Sequence, residues 1–177
     1  MTRRALILVA VILLVAMAFT ACAGAGASGA VKQGLGTVNR IAKSKDAGEA
    51  DGNAQTDAII AAITIDSAGK IVAVNIDSIQ SKIAFTIEGK LATDPTTMVK
   101  SKKELGDDYG MKAKSALGKE WYEQIDALEK WLVGKTLADV EGLKLTEGKA
   151  TDLAASVSIT VTDYIEAVKK AFADANA

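Results

Sequence analysis

The chain has 177 residues, with 21 Lys and Arg against 22 Asp and Glu, one cysteine and no histidine. Without histidine, and with its only thiol at Cys22, it cannot assemble the usual zinc and iron ligand sets, a cysteine–histidine pair or a Ser-His-Asp triad. The mildly acidic balance lacks the clustered positive charge that phosphate backbones require, so nucleic acid is not an expected partner.

In chain order, Arg3 and Arg4 precede an apolar run over residues 5–19 and then Thr20-Ala21-Cys22, the layout of a secretory leader. The run falls short of the roughly twenty residues that a spanning helix needs. The small residue before Cys22 resembles a lipobox, with an ordinary signal or an uncleaved anchor helix as the alternatives. Residues 1–21 are thus expected to be a lipoprotein signal peptide and Cys22 the lipidated N-terminus, anchoring an extracytoplasmic protein to the cell membrane. Lipidation leaves no thiol for a disulfide, and loss of Arg3 and Arg4 with the leader tips the charge further to acid. Residues 22–30, C-A-G-A-G-A-S-G-A, suit a flexible tether. Residues 31–177 are the length of one domain.

Residues 31–42, with Gly34-x-Gly36, predict a first strand, and the Gly-, Asp- and Lys-rich residues 43–57 an exposed loop. Residues 58–66 and 71–77 predict a β-hairpin around Ser67-Ala68-Gly69-Lys70, where the glycine suits positive φ. Residues 82–88 place Ile83, Phe85 and Ile87 on one face of a further strand. The polar stretch 93–119 holds the only proline and is long enough for a functional or flexible loop. Within it, Asp107-Asp108 is turn chemistry, while Tyr109 and Met111 offer an aromatic and a soft apolar surface for a flat ring, with a solvated loop whose Tyr109 covers the sheet edge as the alternative. Trp121, Ile125, Leu128 and Leu132 form the apolar stripe of a helix over 119–133, which Gly134 ends. Residues 136–140 read as a short helix or turn and 142–149 as a connecting loop. A last helix is expected from Thr162, as its N-cap, with Ile165, Val168 and Phe172 facing the core. The expected fold is α+β: an antiparallel sheet of about four strands packed against two main helices.

The stretch before that helix, T-D-L-A-A-S-V-S-I-T-V-T-D over residues 151–163, sets Asp152 six places ahead of Ser158, with Thr160 two places beyond. It resembles the flavin-attachment segment of the FMN-binding domain family, roughly D-x-x-[ST]-[GA]-A-[ST]-x-T. Ala155, Ser156 and Val157 depart from that pattern. Residues 102–112, K-K-E-L-G-D-D-Y-G-M-K, are similar to a stretch of flavin-bearing Gram-positive surface lipoproteins, and the opening Gly34-x-Gly36 resembles the family's first strand. The resemblance implies a flavinylated electron carrier, like the corresponding subunit of sodium-pumping NADH:quinone reductases. An exported, Mg²⁺-dependent flavin transferase would pass the FMN half of FAD to the Ser158 hydroxyl with loss of AMP. Asp152 would serve the transferase or hold the loop, Thr160 would hydrogen-bond the phosphate, and Ser156, Tyr109 and Met111 would lie at the cofactor. Redox partner proteins or a quinone-linked donor would supply electrons, and the flavin would carry the chemistry, so the domain is not itself an enzyme. The helix N-terminus just beyond Ser158 favours a phosphate, and Asp163 opposes it. The alternatives are a non-covalent small-ligand module, which the three departures favour, a structural surface lipoprotein, or a leader that gives rise to a pheromone.

Overall fold

Three antiparallel strands in the order β1–β2–β3 form the sheet: β1 (Lys32–Arg40), β2 (Gly52–Ile65) and β3 (Ile71–Phe85). The computed structural model describes residues 29–177. The expected signal peptide, Cys22 and the tether as far as residue 28 lie outside the described residues. The hairpin between β2 and β3 turns at the expected place, where Gly69 takes φ 72° and Asp66 Oδ1 accepts the N–H groups of Ala68 and Lys70, both at 2.9 Å.

The fourth strand is corrected. Residues 82–85 continue β3, paired with residues 52–55, which the sequence placed in a loop; β2 therefore begins at Gly52. No glycine or proline interrupts 71–85, so one long strand costs less than a broken one. Nor does the Ile83, Phe85, Ile87 face enter the core, since Ile83 and Ile87 are exposed. A two-stranded ribbon that outruns its covering helix has nothing to bury against.

The core lies between the other sheet face and two main helices, here α2 (Trp121–Leu132) and α4 (Thr162–Ala175), each shorter than or equal to four turns. The short helices α1 (Lys102–Leu105) and α3 (Leu137–Glu141) are the other α-helices among the described residues. Trp121, Ile125, Leu128 and Leu132 of α2 and Ile165, Val168 and Phe172 of α4 are buried, as their spacing predicts. Residues 142–149 are more than a loop: β4 (Leu145–Thr146) pairs with β5 (Lys149–Ala150) through a turn at Glu147 and Gly148, both at positive φ.

Helix α4 lies directly on β1. A Cβ on Gly34 would overlap the carbonyl oxygen of Ala171, and one on Gly36 that of Ala167. Gly34-x-Gly36 thus faces the small stripe Ala167, Ala171, Ala175, and backbone packs on backbone. Side chains of α4 also close the free edge of β1: Asp174 accepts the Leu35 N–H at 2.8 Å and Lys170 donates to the Thr37 carbonyl at 3.0 Å. The β3 edge is closed by Glu129 of α2, which accepts the Ile76 N–H. Among the described residues no helix is long and apolar enough to cross a membrane.

Candidate functional site

Ser158, Ile159 and Thr160 form a short span pinned at both ends by Val157 and Val161, which are fully buried. Val161 donates its N–H to the Gly148 carbonyl at 2.7 Å, fastening the span to the β4–β5 turn. A Cβ at Gly148 would strike Thr160 Cγ2 and Thr162 Oγ1, so glycine is required there for space as well as for its φ of 76°. Helix α4 begins at once, with Val161 at the cap position and no side-chain cap. Thr162 is therefore its first helical residue, not the N-cap; the turn at Gly148 holds the entering chain, so a hydroxyl cap is unnecessary. Ser158 still sits just upstream of an open helix N-terminus.

The span is held from below by Gln124 of α2, which has no solvent exposure. Its Oε1 accepts the Ser158 N–H at 2.8 Å, the Ser158 hydroxyl at 3.1 Å and the Ile159 N–H at 3.3 Å. Its Nε2 donates to Ser115 Oγ at 3.1 Å, joining the Ser158 span to the 111–119 loop. Buried Glu120 does similar work beside it, accepting the N–H groups of Met111 and Lys112 at 2.8 Å each while capping α2. A fully satisfied buried polar network of this kind fixes loop geometry.

A cavity of about 420 Å³ opens over this span. Ser158, Thr160 and Met111 line it with Lys102, Lys114 and Lys149, and Ser115 and Tyr164 add hydroxyls. No carboxylate belongs to the lining, so its charge is uniformly positive. A second cavity, about 380 Å³, adjoins it and shares Lys102, Thr160 and Tyr164. There the cations Arg40 and Lys43 are matched by Asp163 at 2.7 Å and Asp57 at 2.8 Å. The carboxylate of Asp163, expected to oppose an anion, is thus engaged by Arg40. Tyr164 accepts the Trp121 indole N–H at 2.9 Å, and burial pushes its phenol up to about 12, so it stays a neutral hydroxyl.

The other predicted residues sit around this centre. Tyr109 stands behind Lys102, its hydroxyl donating to Gln80 Oε1 at 3.2 Å. Ser156 turns back on its own loop, donating to the Leu153 carbonyl. Asp152 is exposed on the 3-10 turn Thr151–Leu153, outside the lining of either cavity. Asp107 and Asp108 flank a separate acidic hollow near Tyr122, whose hydroxyl donates to Asp107. Among the described residues no three His, Cys, Asp or Glu side chains converge to hold a metal. A groove near the outer sheet face, lined by Leu35, Ala62 and Ala73, has Asp174 as its charged group, already bound to the Leu35 N–H.

Sequence reasoning missed Gln124, Lys102, Lys114 and Lys149. Gln124 did leave a signal, because it is the polar residue on the apolar stripe of α2, three places after Trp121. The lysines left none, being three among many.

Comparison with known proteins adds little to this geometry. No family model matches the chain, and no solved structure matches it. A stretch of 41 residues, 23% of this chain, is 54% identical to part of a chlorophenol reductase from Desulfitobacterium hafniense and spans 12% of that protein.

Proposed function

We propose that the protein is an extracytoplasmic, lipid-anchored electron carrier that holds FMN at the cavity over Ser158. The observation that carries this reading is a hydroxyl at a helix N-terminus inside a cavity lined by three lysines and no carboxylate, a setting for a phosphate ester. Donor chemistry and size both fit: lysines and hydroxyls for the phosphate, Met111 and the buried aromatic pair Trp121 and Tyr164 for an apolar ring, and a volume in the range of cofactor sites. The short similarity to a protein named as a reductase is in keeping with a redox role.

When bound, the flavin would supply the redox chemistry. The chain's own residues would bind and orient it. Lys114 and Lys149 offer ammonium donors to the phosphate, Thr160 a hydroxyl, and Gln124 fixes the Ser158 backbone. For covalent attachment, Ser158 Oγ would form the bond to phosphorus as the diphosphate bond of FAD breaks and AMP leaves. Gln124 is an amide and cannot take the hydroxyl proton, so the base must come from the transferase. An esterified Ser158 has no hydrogen to give Gln124, so its side chain would turn toward the cavity while its N–H stays bound.

The hydrogen bond from the Ser158 hydroxyl to Gln124 also suits a non-covalent ligand, the second reading. The intact mass of the full chain, exported with and without an active flavin transferase and beside Ser158→Ala, separates them. Covalent carriage predicts a gain of one FMN that the variant lacks. A yellow protein of unchanged mass would establish the non-covalent site, and a colourless one with the transferase active would overturn both.

A further inference from the structure

Two lysines adjacent in the chain meet opposite environments. Lys103 is satisfied by the Glu129 carboxylate at 2.7 Å and the Asn75 side-chain carbonyl at 2.8 Å. Lys102 is 8% exposed and is placed by a firm cap, since Ser101 and Glu104 form a reciprocal capping box around α1. Its Nζ lies 4.9 Å from the centroid of the Tyr109 ring and 5.2 Å from that of Trp121, and takes no acceptor among the described residues. Two ring faces compensate a desolvated ammonium in part. Part of the desolvation cost remains, although the ammonium is not sealed in, since no fully buried side-chain nitrogen or oxygen among the described residues lacks a partner. Burial, helped by Lys43 and opposed by Asp57 and Asp77, lowers the amine to about 8, which leaves it mainly cationic at neutral pH.

Position gives that cost a use. Lys102 lines both cavities, so a ligand anchored at Ser158 and reaching into either one meets its ammonium. Arg40 and Lys43 in the second cavity are already paired, and Lys114 and Lys149 line only the first. We infer that Lys102 tunes the reduction potential of the flavin, its ammonium compensating the negative charge that the ring system acquires on reduction. The inference rests on the flavin reading above. The electron balance is that of a two-electron reductant: two electrons and one proton enter the ring, and one negative charge remains beside the lysine. A phosphate carries the same charge before and after reduction. A lysine that served only the phosphate would change affinity equally in both states and leave the potential where it was.

The test is an equilibrium redox titration with dithionite and a mediator dye on the full FMN-loaded chain, comparing wild type with Lys102→Met, Lys102→Gln and Lys102→Arg. Circular dichroism checks the fold of each variant. Removal of the charge in the Met and Gln variants is expected to weaken the preference for reduced flavin at least tenfold, a negative shift of about 30 mV for a two-electron couple. The Arg variant, which keeps a cation, should hold most of the wild-type potential. A wild-type potential in both the Met and Gln variants overturns the inference, as does lost FMN affinity with the potential of the remaining flavin unchanged. Wild type that takes up no flavin, read from absorbance alone, sinks the flavin reading itself and this assignment with it.

Discussion

The seam between β1 and α4 and the wall around Lys102 belong to one domain and follow opposite rules. At the seam, glycine meets alanine, backbone touches backbone, and no room is left for a Cβ. At the wall, two cavities meet at an ammonium that has aromatic neighbours and, among the described residues, no ion-pair partner. The seam is what a sequence does to hold a helix on a sheet. The wall holds a largely desolvated ammonium beside open space, the feature on which the proposed ligand site rests.

The largest predicted effect tests the seam. Gly36→Val drives a side chain into the Ala167 carbonyl and should cost about 3 kcal/mol or more in urea unfolding. A loss below 1 kcal/mol would mean that α4 can slide away from β1, and the contrast would fail on its rigid side. Next, Gln124→Leu keeps the bulk of a side chain with no exposure but strips the Ser158 and Ile159 N–H groups of their acceptor. The expected cost is about 2 kcal/mol, with faster amide exchange at those two residues and little change along β1.

A smaller effect comes from pH. The Lys102 amine is lowered in the fold, so between about 8 and its ordinary 10.5 the unfolded chain binds more protons, and stability rises with pH in that window. Wild type should therefore gain on Lys102→Met from pH 8 upward, on the order of 1 kcal/mol, in paired urea titrations; parallel curves would remove the unpaired ammonium from the account. Smallest of all is Arg40→Ala. Its partner Asp163 is close, but the arginine is largely exposed, so the urea midpoint should barely move.

The seam was far more legible in the sequence than the wall. Gly34-x-Gly36 and the Ile165, Val168, Phe172 face of α4 are local patterns, and so are the hairpin and the apolar face of α2, whereas the stripe Ala167, Ala171, Ala175 takes its meaning only from contact with β1. The sheet was misjudged where locality ends: residues 52–57 look like loop until they pair with 80–85. At the site, Ser158 and Thr160 were found through a motif and Met111 through its loop, and the fold brings all three to one cavity. Lys102 could not be singled out, because nothing local distinguishes it from Lys103. Only the tertiary neighbours do: Glu129 reaches one of them, and Tyr109 and Trp121 enclose the other.

On the proposed flavin reading, the wall around Lys102 and Ser158 holds an ammonium that a reduced, anionic flavin would neutralise. The most direct measurement is the unfolding free energy of wild type and Lys102→Met, each with and without saturating FMN that dithionite keeps reduced, so that the ring itself is anionic. Without FMN the variant should be more stable, by about 1 kcal/mol, because a largely desolvated charge is gone. With FMN, wild type should gain more than the variant does. A variant that is less stable than wild type without FMN, or that gains as much from FMN, would contradict the account.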